Sequence, residues 1–296
     1  MNLIDNWDFR GASPDPLLSA VVNQRGRTKY VSDFNTYTID RWRMSRSMSH
    51  ELHGGFLRCK REREENITFL SQMLEFPHLY SGKTLTMSII YRSNSDKHSL
   101  GINGAVEGWS QLPASQSWVL ESRTFTLIGN MNFDASGFGV TASANGVHSK
   151  PGDYMDIQAV KLELGTVSTL ANDPPMDFGR ELAVCQRHQI NLRYPLGATR
   201  NLANVLWMDT RWIVFQIPLP TTMRITPIIS GINSTFEIIR VTNGMLAGIV
   251  TGFAFSARLR GSNLIITTEK ANHGLTNALL RSTDDGDSSI IADANL

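Results

Sequence analysis

The chain has 296 residues, long for one all-β sandwich and enough for two of roughly 100–150 residues each. Hydrophobic residues make up 41% and charged residues 19%, a balance that supports a packed core and excludes a disordered chain. With 28 basic and 27 acidic side chains the net charge is +1, which supplies no field for a phosphate backbone and argues against nucleic acid as a partner.

The opening Met1-Asn2-Leu3-Ile4-Asp5-Asn6-Trp7 lacks the basic segment and apolar run of a signal peptide, so folding in a cytoplasm is expected. No apolar stretch approaches the ~20 residues that cross a bilayer, so no membrane insertion is expected. Trp42, within Tyr37-Thr38-Ile39-Asp40-Arg41-Trp42, reads as core. His50 and His53 fall in a glycine-containing turn, Glu51-Leu52-His53-Gly54-Gly55, and read as exposed. The run Arg58-Cys59-Lys60-Arg61-Glu62-Arg63-Glu64-Glu65 answers its basic charges with acidic ones and reads as a solvated hairpin. Leu85, Met87, Ile89 and Tyr91 alternate with Thr86, Ser88 and Arg92 at the period of two that turns one strand face inward. Ser122 to Ile128 alternates likewise. From Asp156 to Leu164, the even-numbered residues Asp156, Gln158, Val160, Leu162 and Leu164 are expected on one face, opposite Ile157, Ala159 and Lys161. Turn formers separate these runs, among them Asn103-Gly104, Asn145-Gly146 and Pro151-Gly152.

Thr166 to Pro175 reads as a linker. Asp173 is placed to cap a helix and Pro174 to occupy its first turn, and Phe178, Leu182 and Cys185 form one apolar stripe on a helix of about 13–15 residues. Such a helix packs either on a neighbouring domain or against copies of itself around a three-fold axis. Strand signals then resume, through Ile213 to Leu219, Phe236 to Val241 with the turn Asn243-Gly244, Phe253 to Leu259, Asn263 to Thr268 and Ser288 to Ala292. The fold class is therefore all-β: two antiparallel β-sandwich, jelly-roll-like domains at 1–166 and 193–296, joined over 167–192 by a linker and one short helix.

Signatures of catalysis are missing: no Gly-x-Ser-x-Gly elbow, no phosphate-cradling glycine loop, no His-Glu-x-x-His helix. Cys59 and Cys185 are too few for a zinc cluster or a disulfide framework. Cys185 and His188 share a helix face without a third partner, and Asp284, Asp285 and Asp287 read as a solvated turn. Binding is the better expectation. Sugars stack on flat rings, which nominates Trp109, Trp118, Tyr91 and Trp7 as platforms. No cofactor is required by these residues.

The segment Asn2 to Phe9 resembles the first strand of galactose-binding-like, jelly-roll carbohydrate-binding modules, and Met155 to Glu163 resembles their closing strand. Four motifs in order, Val22-Asn23-Gln24-Arg25-Gly26, Tyr37-Thr38-Ile39-Asp40-Arg41-Trp42, Lys161-Leu162-Glu163-Leu164-Gly165 and Glu181-Leu182-Ala183-Val184-Cys185-Gln186-Arg187, resemble a family of phage and prophage tail-fibre or minor virion structural proteins. The ending Ile290 to Leu296 is similar as well. His188-Gln189 departs from the aromatic pair that the family carries there. The resemblance implies a virion location, contacts with other virion proteins, a homotrimer, and adsorption to host surface glycan without catalysis. It further implies a structural calcium held by Asp156 with Asp5 or Asp8. A purely structural spacer or decoration protein is the alternative reading, and a glycan-degrading enzyme the third.

Overall fold

The computed structural model describes residues 2–293, apart from 16–17, 33–35, 46, 65–68, 129–136, 142, 145–146, 194–200, 209–211, 226, 233–234, 241–245, 252–255, 261–262, 270–277 and 283–288. The turns at Asn145-Gly146 and Asn243-Gly244, the aromatic pair Phe253 and Phe255, and the Asp284, Asp285 and Asp287 turn lie outside the described residues.

Contacts divide the chain into two compact units, Met1–Glu181 and Leu182–Leu296. In the first, the strands are β1 (Lys29–Ser32), β2 (Thr36–Tyr37), β3 (Arg43–Met44), β4 (Met48–His53), β5 (Phe56–Arg61), β6 (Phe69–Met73) and β7 (Thr84–Ser93). They continue with β8 (Ser99–Ile102), β9 (Trp109–Gln111), β10 (Ser115–Thr126), β11 (Gly137–Thr141), β12 (Ser143–Ala144), β13 (Val147–His148) and β14 (Tyr154–Leu164). Twelve of them form two six-stranded sheets, ordered β1-β4-β5-β14-β7-β10 and β2-β3-β6-β11-β8-β9, while β12 and β13 pair with each other. All their ladders are antiparallel. Their inner faces share one buried cluster: Leu57, Met87, Ile89, Tyr91, Ile157, Val160 and Leu162 from the first sheet, Met44, Leu70, Leu100 and Ile102 from the second. The all-β sandwich read from alternation is the observed architecture.

The opening segment lies along the closing strand. Leu3 N donates to Leu162 O (2.9 Å), Val160 N to Trp7 O (3.0 Å) and Phe9 N to Gln158 O (2.7 Å). The expected alternation within β14 does not hold throughout. Ile157 pairs with Tyr91 but Ala159 pairs with Ile90, so Gln158 is an extra residue in the ladder, a β-bulge. One inserted residue reverses the side-chain parity. Ile157, Val160 and Leu162 therefore face the core, while Asp156, Ala159, Lys161 and Glu163 face outward.

The segment read as a linker instead packs on that outward face. Lys161 Nζ reaches Thr169 Oγ1 (2.5 Å) and Asp173 Oδ1 (2.7 Å), Glu163 accepts from the Thr169 backbone N–H (2.9 Å), and Leu170 is buried. The helix is correspondingly shorter than expected: α1 spans Phe178–Gln186, nine residues, and is the only α-helix among the described residues. Asp173 is committed to Lys161 and cannot cap. Asp177 caps instead, accepting from Arg180 N (3.0 Å), so the helix begins four residues later than Pro174 suggests. Of the anticipated stripe, Cys185 is buried and Phe178 is exposed.

In the second unit the strands are β15 (Gln189–Arg193), β16 (Asn201–Met208), β17 (Trp212–Pro218), β18 (Ile228–Ile232) and β19 (Thr235–Arg240). They are followed by β20 (Leu246–Thr251), β21 (Ser256–Arg260), β22 (Asn263–Glu269), β23 (Ala278–Ser282) and β24 (Ser289–Asp293). They form a three-stranded sheet, β15-β24-β18, and a seven-stranded one, β20-β19-β23-β16-β17-β22-β21.

Three buried titratable groups in the first unit set its response to acid. His50, read from sequence as exposed, sits in β4 facing the core beside Thr38 (3.2 Å), and burial lowers its pKa to about 3. Burial likewise lowers His98 to about 4, though its Nε2–H donates to Tyr154 O (3.1 Å). Burial raises Asp40 to about 6 against the opposing pull of Arg25 and of two hydrogen bonds from Gln24. A histidine with a lowered folded pKa contributes stability above its unfolded value of about 6.5, and loses it as pH falls below that. Asp40 has the opposite sign, since its raised pKa favours the folded state in acid. From pH 7 to pH 5 each histidine costs about 2 kcal/mol and Asp40 returns about 1 kcal/mol. Urea denaturation at the two pH values is expected to show a net loss of about 2–3 kcal/mol; unchanged or greater stability at pH 5 would contradict the assignment.

Candidate functional site on the outer face of the first sheet

The two-residue turn Gly54-Gly55 closes the β4–β5 hairpin, with Gly55 at φ 84°, a left-handed value that glycine adopts without strain. The closing pair is His53 and Phe56, directly opposite one another. Paired residues share a sheet face, so their rings stack, with centroids 4.9 Å apart and planes 9° from parallel. Two residues along β5, Arg58 occupies the same outer face and pairs with Asp156 of β14, which pairs in turn with Arg92 of β7. Register thus lines up Arg58, Asp156 and Arg92 across three adjacent strands. The first part of the charge run, Arg58 to Arg61, is therefore strand and not a solvated hairpin: β5 alternates, placing Arg58 outward and Cys59 inward, and Arg61 is buried on Ser149 (2.8 Å).

Asp156 is fully buried. Its Oδ1 accepts from Arg58 Nε (2.7 Å), and its Oδ2 accepts from Arg58 Nη2 (2.9 Å) and Arg92 Nε (2.8 Å). Hydrogen bonding to this carboxylate raises the Arg58 pKa further above its ordinary value. Both arginine side chains are about one-third exposed, at 30% and 32%.

Aromatic rings flank the two cations. Arg58 lies over Tyr154 (4.4 Å) and beside Phe56 (5.7 Å); Arg92 lies against Trp118 (4.8 Å) and Phe56 (5.1 Å). Phe56 and Trp118 meet edge to face at 5.8 Å. Trp118 precedes Val119, which pairs with the core-facing Tyr91, so alternation turns Trp118 to the outer face beside Arg92. His53, Phe56, Tyr154 and Trp118 all remain partly exposed. This combination of ring faces with fixed donors is the chemistry that holds sugars, apolar C–H faces on rings and hydroxyls on polar groups.

The candidate residues read from sequence separate in the structure. Trp118 belongs to the face just described. Trp109 lies in β9 of the other sheet, over Gly101, where any side-chain carbon would overlap the indole. Tyr91 is fully buried with its hydroxyl on Pro113 O (2.7 Å), so its ring presents no surface to a ligand; it neighbours Arg92 but points to the core. Trp7 is buried, with the Arg10 guanidinium 5.8 Å from its ring centroid. Trp42 is core, as read.

The carboxylates nominated for calcium hold other partners. Calcium at Asp156 would have to displace two guanidiniums, and Asp5 pairs with Arg41 (2.9 Å) while its backbone bonds to Gln72 (2.8 Å). Asp8 is bidentate with Arg10 (2.8 Å for both bonds). No cluster of three metal-ligating side chains occurs among the described residues. These three aspartates therefore do not fit the calcium role that the resemblance implies.

No protein-family model and no curated protein matches the chain. Similar solved structures include carbohydrate-binding modules. One is the tandem CBM22 domain of Paenibacillus barcinonensis Xyn10C (10% identity, TM-score 0.30, covering 90% of this chain and 97% of that one). Another is the N-terminal cellulose-binding domain of Cellulomonas fimi β-1,4-glucanase C (14% identity, TM-score 0.29, 40% and 85%). Beyond these modules, the chain is also similar to the adhesin domain of Epf from Streptococcus pyogenes (8% identity, TM-score 0.28, 98% and 95%).

Proposed function

We propose that the chain is a non-catalytic glycan-binding protein whose N-terminal unit holds sugar on the outer face of its first sheet. One observation carries the reading: Trp118, Phe56 and Tyr154 share this partly exposed face with two guanidiniums locked to a buried carboxylate. A sugar ring would stack on Trp118 while its hydroxyls accept from arginine. Binding rather than hydrolysis suits the face, because glycoside cleavage needs two carboxyl groups flanking the bond. Here Asp156 is fully buried and occupied by both arginines, and Glu51 is turned to Lys29 (3.7 Å). The finer reading makes the chain a phage tail or head fibre component, located on the virion beside other virion proteins, a homotrimer that adsorbs to host glycan through three weak sites acting together. Its support is the order of sequence motifs from Val22 to Arg187.

A second reading places the sugar on the other sheet, at Trp109, whose indole covers Gly101. Glycan-array binding of Trp118→Ala and Trp109→Ala decides between the faces. Trp118→Ala is expected to lose about 5- to 30-fold in affinity, the loss of one stacking ring of about 1–2 kcal/mol, with Trp109→Ala unchanged. The reverse pattern moves the site to the second sheet, and no effect of either removes the stacking mechanism.

A further inference from the structure

We infer that this face selects acidic sugars, its anchor being a sugar carboxylate received by Arg92 and Arg58. The inference rests on the glycan-binding reading above and deepens it. Arg92 spends only Nε on Asp156, so Nη1 and Nη2 have no protein acceptor among the described residues. Arg58 spends Nε and Nη2, leaving Nη1. Rings of Phe56, Tyr154 and Trp118 lie against these guanidiniums and take up their faces. What stays available is the terminal edge of Arg92, two parallel N–H donors in the fork geometry that matches a carboxylate.

Four cations on this face meet three carboxylates. Lys60 pairs with Glu62 (3.3 Å), Glu51 lies opposite Arg58 in the ladder but is shared with Lys29 (3.7 Å), and both arginines converge on the single carboxylate of Asp156. The centre of the face thus carries one uncompensated positive charge. Asp156 holds both side chains in place before a ligand arrives, so little conformational entropy remains to be lost on binding. A neutral sugar would meet the same donors with hydroxyls, a weaker acceptor for a charged fork.

The test uses the full chain and matched oligosaccharide pairs: glucuronate-, galacturonate- and sialate-containing oligosaccharides, and the same molecules with carboxyl groups reduced to alcohols. By titration calorimetry, at least one acidic member is expected to bind about tenfold or more tightly than its reduced partner in 50 mM salt. That ratio should shrink in high salt, because the anchor is partly solvent-exposed. Arg92→Lys keeps the charge and removes the fork; it is expected to lose most of the preference while retaining the wild-type melting temperature within a few degrees. Equal binding of acidic and reduced forms overturns the acid preference and leaves the glycan-binding reading intact. A preference that persists in Arg92→Lys overturns the fork. Binding to no member of either series overturns both readings.

Discussion

Replacing Trp42 with alanine is expected to cost the N-terminal unit about 4 kcal/mol, the middle of the range for a buried aromatic. Trp42 is fully buried and packs at 5.8 Å from the Phe9 ring, tilted 48°. Its indole N–H donates to Asn6 O (2.8 Å), which fastens the opening segment to the second sheet through the side chain just before β3. Asn6 is itself fully buried at φ 50°. Its side chain donates to Val22 O (2.8 Å) and Asp40 O (3.0 Å) and accepts from Val22 N (3.0 Å). Alanine would therefore remove a large volume and also strand a carbonyl within an otherwise satisfied polar cluster. Trp42→Phe separates the two effects. It keeps much of the packing and loses the N–H, and is expected to cost about 1–3 kcal/mol, the penalty of one unpaired buried acceptor. Urea denaturation measures both. A loss below about 2 kcal/mol for Trp42→Ala would mean that the cavity collapses and that the opening segment is held by its backbone pairing along β14 instead.

What could be read from sequence follows from how local each determinant is. Alternation is local, so β7, β10, β17, β19 and β22 are legible from Leu85 to Tyr91, Ser122 to Ile128, Ile213 to Leu219, Phe236 to Val241 and Asn263 to Thr268. Trp42 is legible as core although Arg41 and Arg43 flank it, because Ile39 and Met44 lie close by in sequence. The bulge at Gln158 leaves no such signal. A single extra residue reverses parity for everything after it, and Asp156, Ala159 and Lys161 end on a common face that periodicity assigns to opposite ones. The helix starts later than Pro174 suggests for a related reason. Asp173-Pro174 has the chemistry of a cap, but Lys161, twelve residues earlier, takes the carboxylate. The arginine pair lay furthest out of reach: Arg58 meets Asp156 across 98 residues and Arg92 meets it across 64. The charge run around Arg58 looks solvated because its partner is absent from the local sequence. A usable hint was present in His53-Gly54-Gly55-Phe56, where a two-residue glycine turn brings its flanking rings onto one face.

Asp156→Ala is expected to weaken both stability and glycan affinity, and the two losses have one origin. Three charge-assisted hydrogen bonds converge on a carboxylate with no exposure of its own. Removing one partner from a fully buried pair costs about 3–5 kcal/mol, because the remaining charge is left unsolvated. Here the partners are about one-third exposed and can swing into water, so the expected loss is nearer 2–3 kcal/mol. That same freedom harms binding. Without Asp156 the arginines lose their shared anchor, and a ligand must order two long side chains that the folded protein now holds in place, at about 0.5–1.5 kcal/mol each. Affinity for the best acidic oligosaccharide is expected to fall about tenfold or more at a temperature where the variant remains folded. A double-mutant cycle with Arg92→Ala tests the coupling directly: in the Arg92→Ala background, loss of Asp156 should cost distinctly less affinity than in the wild type. Additive losses would show that the rings of Phe56, Tyr154 and Trp118 position the guanidiniums without the carboxylate, and the binding face would then depend on stacking alone.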